Sequence, residues 1–337
     1  MRTVLSRLRP DPFLAALVAA VALASILPSR GAAASALGVL TPASICLLFF
    51  LHGAKLSREA LLGGLTHWRL QLAVLTATFV MFPLLGLAAR GLAAPWLSPE
   101  LGAGLLFLCL LPSTVQSSIA FTSTAGGNVA ASVCSASLSN LLGIVLTPLL
   151  VALLMGVQAV AAPLDGVRTI VLELLLPFVA GHLARPWIGA VVARRKRLVG
   201  LVDRTAIVLV VYTAFSAAVV NGFWTRLGAS ELVVLVLACV AVLAAALVAT
   251  TFAARALRFS RADEISIVFC GSKKSLASGV PIAGALFPAA AIGPLIVPLM
   301  LFHQIQLMAC AVLAQRYRQA GETAASREGS GRERQAA

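Results

Sequence analysis

The sequence predicts an all-α polytopic membrane protein of ten transmembrane helices arranged as two inverted five-helix repeats. Three observations lead there: an apolar composition, ten apolar segments of spanning length, and basic residues that alternate from loop to loop. Of the 337 residues, 60% are hydrophobic and only 11% charged, with a mean hydropathy of +0.98. A soluble domain carries about 25% charged residues, so this chain lacks the polar surface to cover a water-soluble globule. Few aromatics among many alanines, leucines and valines favour helices over the alternating strands of a membrane barrel. Cys46, Cys109, Cys134, Cys239, Cys270 and Cys310 all fall in apolar segments without a Cys-x-x-Cys pair. They read as small apolar packing residues, not as disulfides or metal ligands.

A span takes about 20 apolar residues. Polar, proline and glycine breaks cut the chain into segments at 12–28, 37–54, 70–90, 101–124, 129–156, 166–185, 202–222, 231–254, 264–287 and 292–315. Asp11-Pro12 starts the first. Arg2, Arg7 and Arg9 before it and Ala-Ser-Ala at 34–36 after it also resemble a secretory signal, but the rest of the chain stays in the membrane, which favours a plain first span. Beyond residue 318 the chain turns polar, with Gly321, Ser326, Gly329, Ser330 and Gly331 among mixed charges, and 319–337 reads as a disordered cytoplasmic tail.

The net charge of +14 does not indicate nucleic acid, because the basic residues sit in short clusters between apolar runs and not on one face. One set of loops holds twenty of them: Arg2, Arg7, Arg9; Lys55, Arg58, Arg69; Arg185, Arg194, Arg195, Lys196, Arg197, Arg204; Arg255, Arg258, Arg261; and Arg316, Arg318, Arg327, Arg332, Arg334. The alternate loops hold four: Arg30, Arg90, Arg168 and Arg226. The positive-inside rule then puts both termini in the cytoplasm, with the chain in the plasma (inner) membrane. The longest basic loop, 185–204, follows the sixth segment, and the ten segments divide into a first repeat within 1–160 (helices 1–5) and a second within 161–318 (helices 6–10). Five is odd, so the second half enters from the opposite side, the arithmetic of an inverted repeat.

Each half places an interrupted helix fourth. The first carries Pro112-Ser113-Thr114-Val115-Gln116-Ser117-Ser118, the second Gly271-Ser272-Lys273-Lys274-Ser275 followed by Gly279 and Pro281. Matching Gly/Pro-interrupted segments point to a transporter's midplane site. A lysine at mid-membrane costs about 2.5–3.5 kcal/mol on insertion scales. Lys273 and Lys274 therefore need a water-filled cavity, a counter-charge, or a span boundary that leaves both at the interface. Being adjacent, they point about 100° apart on a helix, so at most one of them aims straight at the site. Glu173, the only carboxylate well inside a span, is the candidate partner, or else a helix-end group reaching headgroup water. Ser113, Thr114, Ser117, Ser118, Thr122, Ser123 and Thr124 on the fourth helix, with Asn128, Ser132, Ser135, Ser137, Ser139 and Asn140 on the fifth, are hydroxyls and amides beside the first break. Singly they read as helix glue; clustered beside a broken helix they offer oxygens to a hard cation. His303, Gln304 and Gln306 read as packing or interhelical hydrogen-bond groups.

The stretches LLPSTVQSSIAFTSTAGGNVAASVCSASLSNLLGIVLTPLL, LELLLPFVAGHLARPW and FCGSKKSLASGVPIAGALF resemble the sodium/bile acid cotransporter-like branch of the bile acid:sodium symporter superfamily, from Phe13 to Tyr317. The resemblance implies a panel domain (helices 1, 2, 6 and 7) rocking against a core domain (3–5 and 8–10) in which helices 4 and 9 break and cross. It further implies a cation site to which Ser117, Ser118 and Ser132 correspond, with Thr78, five residues before Pro83, in the place of a helix-3 glutamine. The departures are as informative. Phe269 stands where the resemblance implies a bridging glutamate, Lys273-Lys274 where it implies a glutamine-asparagine pair, and Ala136 where it implies a threonine.

The reading that follows is a secondary active transporter of a small organic anion in the lipid bilayer, working by alternating access and coupled to Na+ or H+, with no tightly bound cofactor. The candidate substrate and cation residues are Thr78, Gln116, Ser117, Ser118, Asn128, Ser132, Glu173, Ser272, Lys273 and Lys274, with Ser117, Ser118 and Ser132 as the Na+ set and the Lys273 ammonium able to stand in for a bound ion. The rival is a non-transporting regulatory or scaffold membrane protein that keeps the fold. No paired-aspartate motif, His-Glu-x-x-His or serine with an intramembrane base supports an enzyme.

Overall fold

The computed structural model describes residues 12–55, 67–156, 170–222 and 227–336. Within them the chain is helical, without strands. In order the helices are α1 (Pro12–Ile26), α2 (Gly31–Lys55), α3 (Trp68–Ala93), α4 (Pro99–Leu110), α5 (Gln116–Thr124), α6 (Val129–Met155), α7 (Leu176–Arg194), α8 (Lys196–Val220), α9 (Ala229–Ala256), α10 (Arg261–Gly271), α11 (Leu276–Leu286) and α12 (Ala289–Ala336). A π-helical turn, Ile170–Leu175, leads into α7. Seven of these helices, α2, α3, α6, α7, α8, α9 and α12 as far as Thr323, are long and apolar enough to cross a membrane. α1 and α4 are apolar but shorter.

Local sequence explains the ends. Pro12 and Pro99 open α1 and α4, where a missing N–H costs nothing. Ser260 caps α10, accepting the Asp263 N–H at 3.2 Å, and Asp263 and Glu264 place negative charge on its first turn. Inside α3, residues Ala77–Met81 widen into a π-turn immediately before Pro83, and the Phe82 N–H reaches back to the Ala77 carbonyl. The basic stretch 185–204 is helical on both sides of a single joint at Arg195, where a loop was expected. Arginine and lysine are good helix formers, so a run rich in both can carry helices beyond the apolar segments that composition delimits.

The chain divides into two compact units. One comprises 1–56, 152–229 and 280–296, hence α1, α2, α7, α8, the later part of α11 and the start of α12. Its closest crossing is α2 on α7. A Cβ at Gly53 would fall 2.0 Å from the Phe178 carbonyl oxygen, and one at Gly181 would fall 1.9 Å from that of Phe50. The two backbones touch in both directions, as small residues allow in membranes. Thr41 and Thr213 share a hydrogen bond at 3.1 Å, and Lys55 pairs with Asp203.

The other unit comprises 57–151, 230–279 and 297–337, hence α3–α6, α9, α10, the first residues of α11 and most of α12. At one end of α10, Glu264 is held by the Arg255 guanidinium at 3.0 Å and the Tyr317 hydroxyl at 2.9 Å, which ties α9, α10 and α12 together. Glu264 itself is buried. At the other end of α10 lies the site.

Candidate site at two helix breaks

Between α4 and α5 the backbone of 111–115 leaves the helix. Leu111 is extended (φ −79°, ψ 157°), as a residue before proline prefers, and Pro112 cannot donate to the preceding turn. Four consecutive carbonyls lose their helical donors and each finds another. Leu110 accepts from Thr147 Oγ1 at 2.9 Å, Leu111 from Lys274 Nζ at 2.7 Å, Pro112 from the Ser275 N–H at 2.9 Å, and Ser113 from Asn140 Nδ2 at 2.8 Å. The Ser113 N–H donates to Ser139 Oγ at 3.0 Å.

The second break, 272–275 between α10 and α11, is matched against the first. The Cys270 carbonyl accepts from Ser113 Oγ and the Phe269 carbonyl from Ser118 Oγ at 2.9 Å. Both main-chain groups of Lys274 go to one side chain: its N–H to Gln306 Oε1 and its carbonyl from Gln306 Nε2, each at 2.9 Å. His303 Nδ1 lies 2.9 Å from the same Gln306 Nε2. Buried polar backbone costs free energy unless it is paired, and here the pairing is done by side chains of α5, α6 and α12, by Ser113 and Lys274 in the breaks themselves, and by the Ser275 N–H.

Both lysines are fully buried within the protein. They point to different surroundings. Lys274 Nζ donates to the carbonyls of Leu111 at 2.7 Å and Thr78 at 2.8 Å, and lies 4.2 Å from the centroid of the Phe82 ring. Lys273 Nζ lies 4.3 Å from the Phe121 centroid and 5.5 Å from that of Phe269, with Ser117 Oγ at 3.5 Å. Ring faces attract cations by their quadrupole. Among the described residues, no carboxylate is recorded bonding to either ammonium.

The remaining candidates separate accordingly. Thr78 contributes its carbonyl to Lys274, while its hydroxyl bonds Val74 in its own helix. Ser117 is part-exposed and donates to Thr114 Oγ1 at 2.8 Å; Ser118 is buried and also pairs with Thr114. Ser132 shares a 2.9 Å bond with Thr122, beside Cys270. Ser272 bonds back to Val268 at 2.6 Å, a helix-end role. Gln116 is exposed on the first turn of α5. Asn128 caps α6 through the Ala131 N–H and binds Asp263, at the opposite end of α10 from the lysines. The Glu173 side chain lies outside the described residues. The sequence reading missed Phe82, Phe121 and Thr147. The signal for Phe82 was Pro83, whose missing N–H opens α3 just there.

Comparisons with known proteins bear on what this arrangement belongs to. The family model described as the SBF-like CPA transporter family matches residues 11–319. A Pseudomonas aeruginosa protein named "Uncharacterized protein PA2026" is 58% identical over 321 residues, covering 95% of this chain and 96% of the relative. "Putative symporter YfeH" of Escherichia coli is 56% identical over 321 residues, covering 95% and 97%. "Sodium/bile acid cotransporter 7" of Danio rerio is 28% identical over 316 residues, covering 92% and 94%. With a family match over nearly its whole length and bacterial relatives more than half identical end to end, this chain belongs to the SBF-like CPA transporter family of the bile acid:sodium symporter superfamily, and is a multi-pass membrane transporter, not an enzyme.

Proposed function

We propose that the protein is a secondary active transporter of a small organic anion, working by alternating access across the plasma (inner) membrane with both termini in the cytoplasm. The observation that carries the anion is the pair of buried ammonium groups at the meeting of two helix breaks, neither bonded to a carboxylate among the described residues. Buried positive charge in a membrane calls for a partner, and a carboxylate or similar group on the substrate supplies it. Ten spans follow if the seven long helices are joined by α1 and by two interrupted spans, α4 with α5 and α10 with α11. The break of each interrupted span then lies at mid-membrane, where inverted-repeat transporters bind their substrates.

Lys273 is the substrate-facing ammonium in this reading, because among the described residues its one hydrogen-bond contact is the part-exposed Ser117. Its proton is the coupling ion. The name of the Danio rerio relative speaks for sodium, and Ser117, Ser118 and Ser132 are the oxygens a sodium ion would use. Against sodium, Ser118 and Ser132 already hydrogen-bond within the protein, and the Lys273 ammonium lies beside Ser117. Among the described residues, the titratable groups near Lys273 are the thiols of Cys310 and Cys270. The experiment is uptake into proteoliposomes of a panel of organic anions and cations, with sodium replaced by choline at several pH values. Accumulation of an anion that survives choline and follows the pH gradient is the expected result. A steep sodium requirement would remove the proton from the scheme, and accumulation of cations alone would remove the anion.

A further inference from the structure

We propose that the Lys274 side chain is a tethered ion permanently filling a monovalent-cation site made of the Thr78 and Leu111 carbonyls and the Phe82 ring, and that this site accepts a free alkylammonium once the side chain is removed.

Both carbonyls are left open by the backbone itself. In α3 the Phe82 N–H is taken by Ala77, and the next residue, Pro83, has no N–H, so the Thr78 carbonyl has no donor in its own helix. The Leu111 carbonyl is cut off by the break at Pro112, at the C-terminal, partially negative end of α4. The neighbouring broken-helix carbonyls of Leu110, Pro112 and Ser113 are satisfied by neutral donors. Thr78 and Leu111 are satisfied by one and the same atom, at 2.8 and 2.7 Å. A neutral hydroxyl has a single hydrogen and serves only one of two oxygens on separate helices. An ammonium has three diverging N–H bonds: two reach the carbonyls, and the third side of the charge faces the Phe82 ring at 4.2 Å. Two carbonyl oxygens and a ring face, with no carboxylate among the described residues, are the surroundings a weakly hydrated monovalent cation takes. Lys273, one residue away, bonds to no carbonyl among the described residues and lies among rings and a hydroxyl. The sequence favours Lys273 as the stand-in for a bound ion; the geometry assigns that part to Lys274.

The assignment deepens the reading under Proposed function, on which it rests for one consequence only: this position takes no part in the exchange of coupling ions, which leaves Lys273 as the mobile charge. Its test does not use transport. Replacing Lys274 by alanine deletes a propylammonium-sized fragment. The thermal transition of the purified full-length protein is measured in sodium chloride, choline chloride, propylammonium chloride and sodium chloride with propan-1-ol. The wild type is expected to melt alike in all four. Lys274→Ala should melt several degrees lower, regain most of that loss in propylammonium, and gain nothing from choline, which is too bulky, or from propan-1-ol, which fills space without charge. Lys273→Ala should not respond to propylammonium. A Lys274→Ala protein indifferent to propylammonium, or restored equally by propan-1-ol, overturns the proposal. Should that variant not be recovered folded, Lys274→Arg and Lys274→Met decide: the tethered guanidinium should keep folded yield near wild type and methionine should lose most of it, whereas equal yields overturn the assignment. Failure of the uptake assay with propylammonium rescue intact would discard the transport reading and leave this site standing.

Discussion

Ser118 donates its hydroxyl to the Phe269 carbonyl at 2.9 Å and is shut off from solvent, while Ser117, one residue earlier, is part-exposed and lies 3.5 Å from the Lys273 ammonium. The pattern of the sequence treats the two as a pair; the contacts divide them. Ser118→Ala leaves a buried carbonyl without a donor, and the loss of such a pairing costs about 1–3 kcal/mol. A lower melting temperature should record it. Ser117→Ala removes a hydroxyl with solvent within reach and should leave the melting temperature nearly unchanged while transport falls. If both serines behave alike in both measurements, the division is wrong. Lys273→Gln keeps a polar group of similar reach but cannot titrate. It should flatten the pH profile of uptake, and an unchanged profile would show that the proton travels elsewhere.

Gln306 pairs with both main-chain groups of Lys274, through two bonds of 2.9 Å, and so fixes the second break to α12. Gln306→Ala strands a buried N–H and a buried carbonyl together. It should destabilise more than Gln306→Glu, whose carboxylate still accepts from the N–H. The opposite order in thermal melts would mean that the break is held by something else. In α3, Pro83→Ala returns an N–H within π-turn reach of the Thr78 carbonyl. On that background Lys274→Ala should cost less than on the wild type, a non-additivity read directly from a double-mutant cycle. The existence of these breaks was legible: Pro112 and the Gly271 to Ser275 run interrupt apolar segments of spanning length. Which donors close them was not, because Thr147, Asn140 and Gln306 are ordinary helix residues in the sequence and acquire their roles only when α6 and α12 pack beside the breaks. The single joint at Arg195 was likewise hidden, since a basic run reads as a loop by charge although its residues form helix readily.

For the whole molecule, twenty basic residues against four set an orientation that labelling can test. A cysteine introduced at Gly222 or Gly228 should react with an impermeant thiol reagent from outside the cell, and one at Gly200 should not. The reverse pattern, or termini on opposite sides, would undo the inverted-repeat reading. Composition and segment length made the helical membrane class plain, because 60% hydrophobic residues leave no soluble alternative. The seven long helices also coincide with expected segments, with ends shifted by a few residues in most cases. The location of the two lysines was legible as an anomaly, and their partners were not: two carbonyls and three rings carry no signature in a one-dimensional chain.

The Leu111 carbonyl and the Lys274 ammonium that closes it are 163 residues apart in the chain. On the ribosome, at about 5–20 residues per second, that separation corresponds to roughly 8–30 s of synthesis. Throughout that interval the fourth apolar segment enters the bilayer with a gap in its backbone pairing that nothing yet made can fill. The nascent half-protein must keep those carbonyls near water or in the care of the insertion machinery until its second half arrives. Chains stopped before Arg261 should therefore be cleared by membrane proteases faster than chains stopped after Gln306, although both carry well-formed apolar helices.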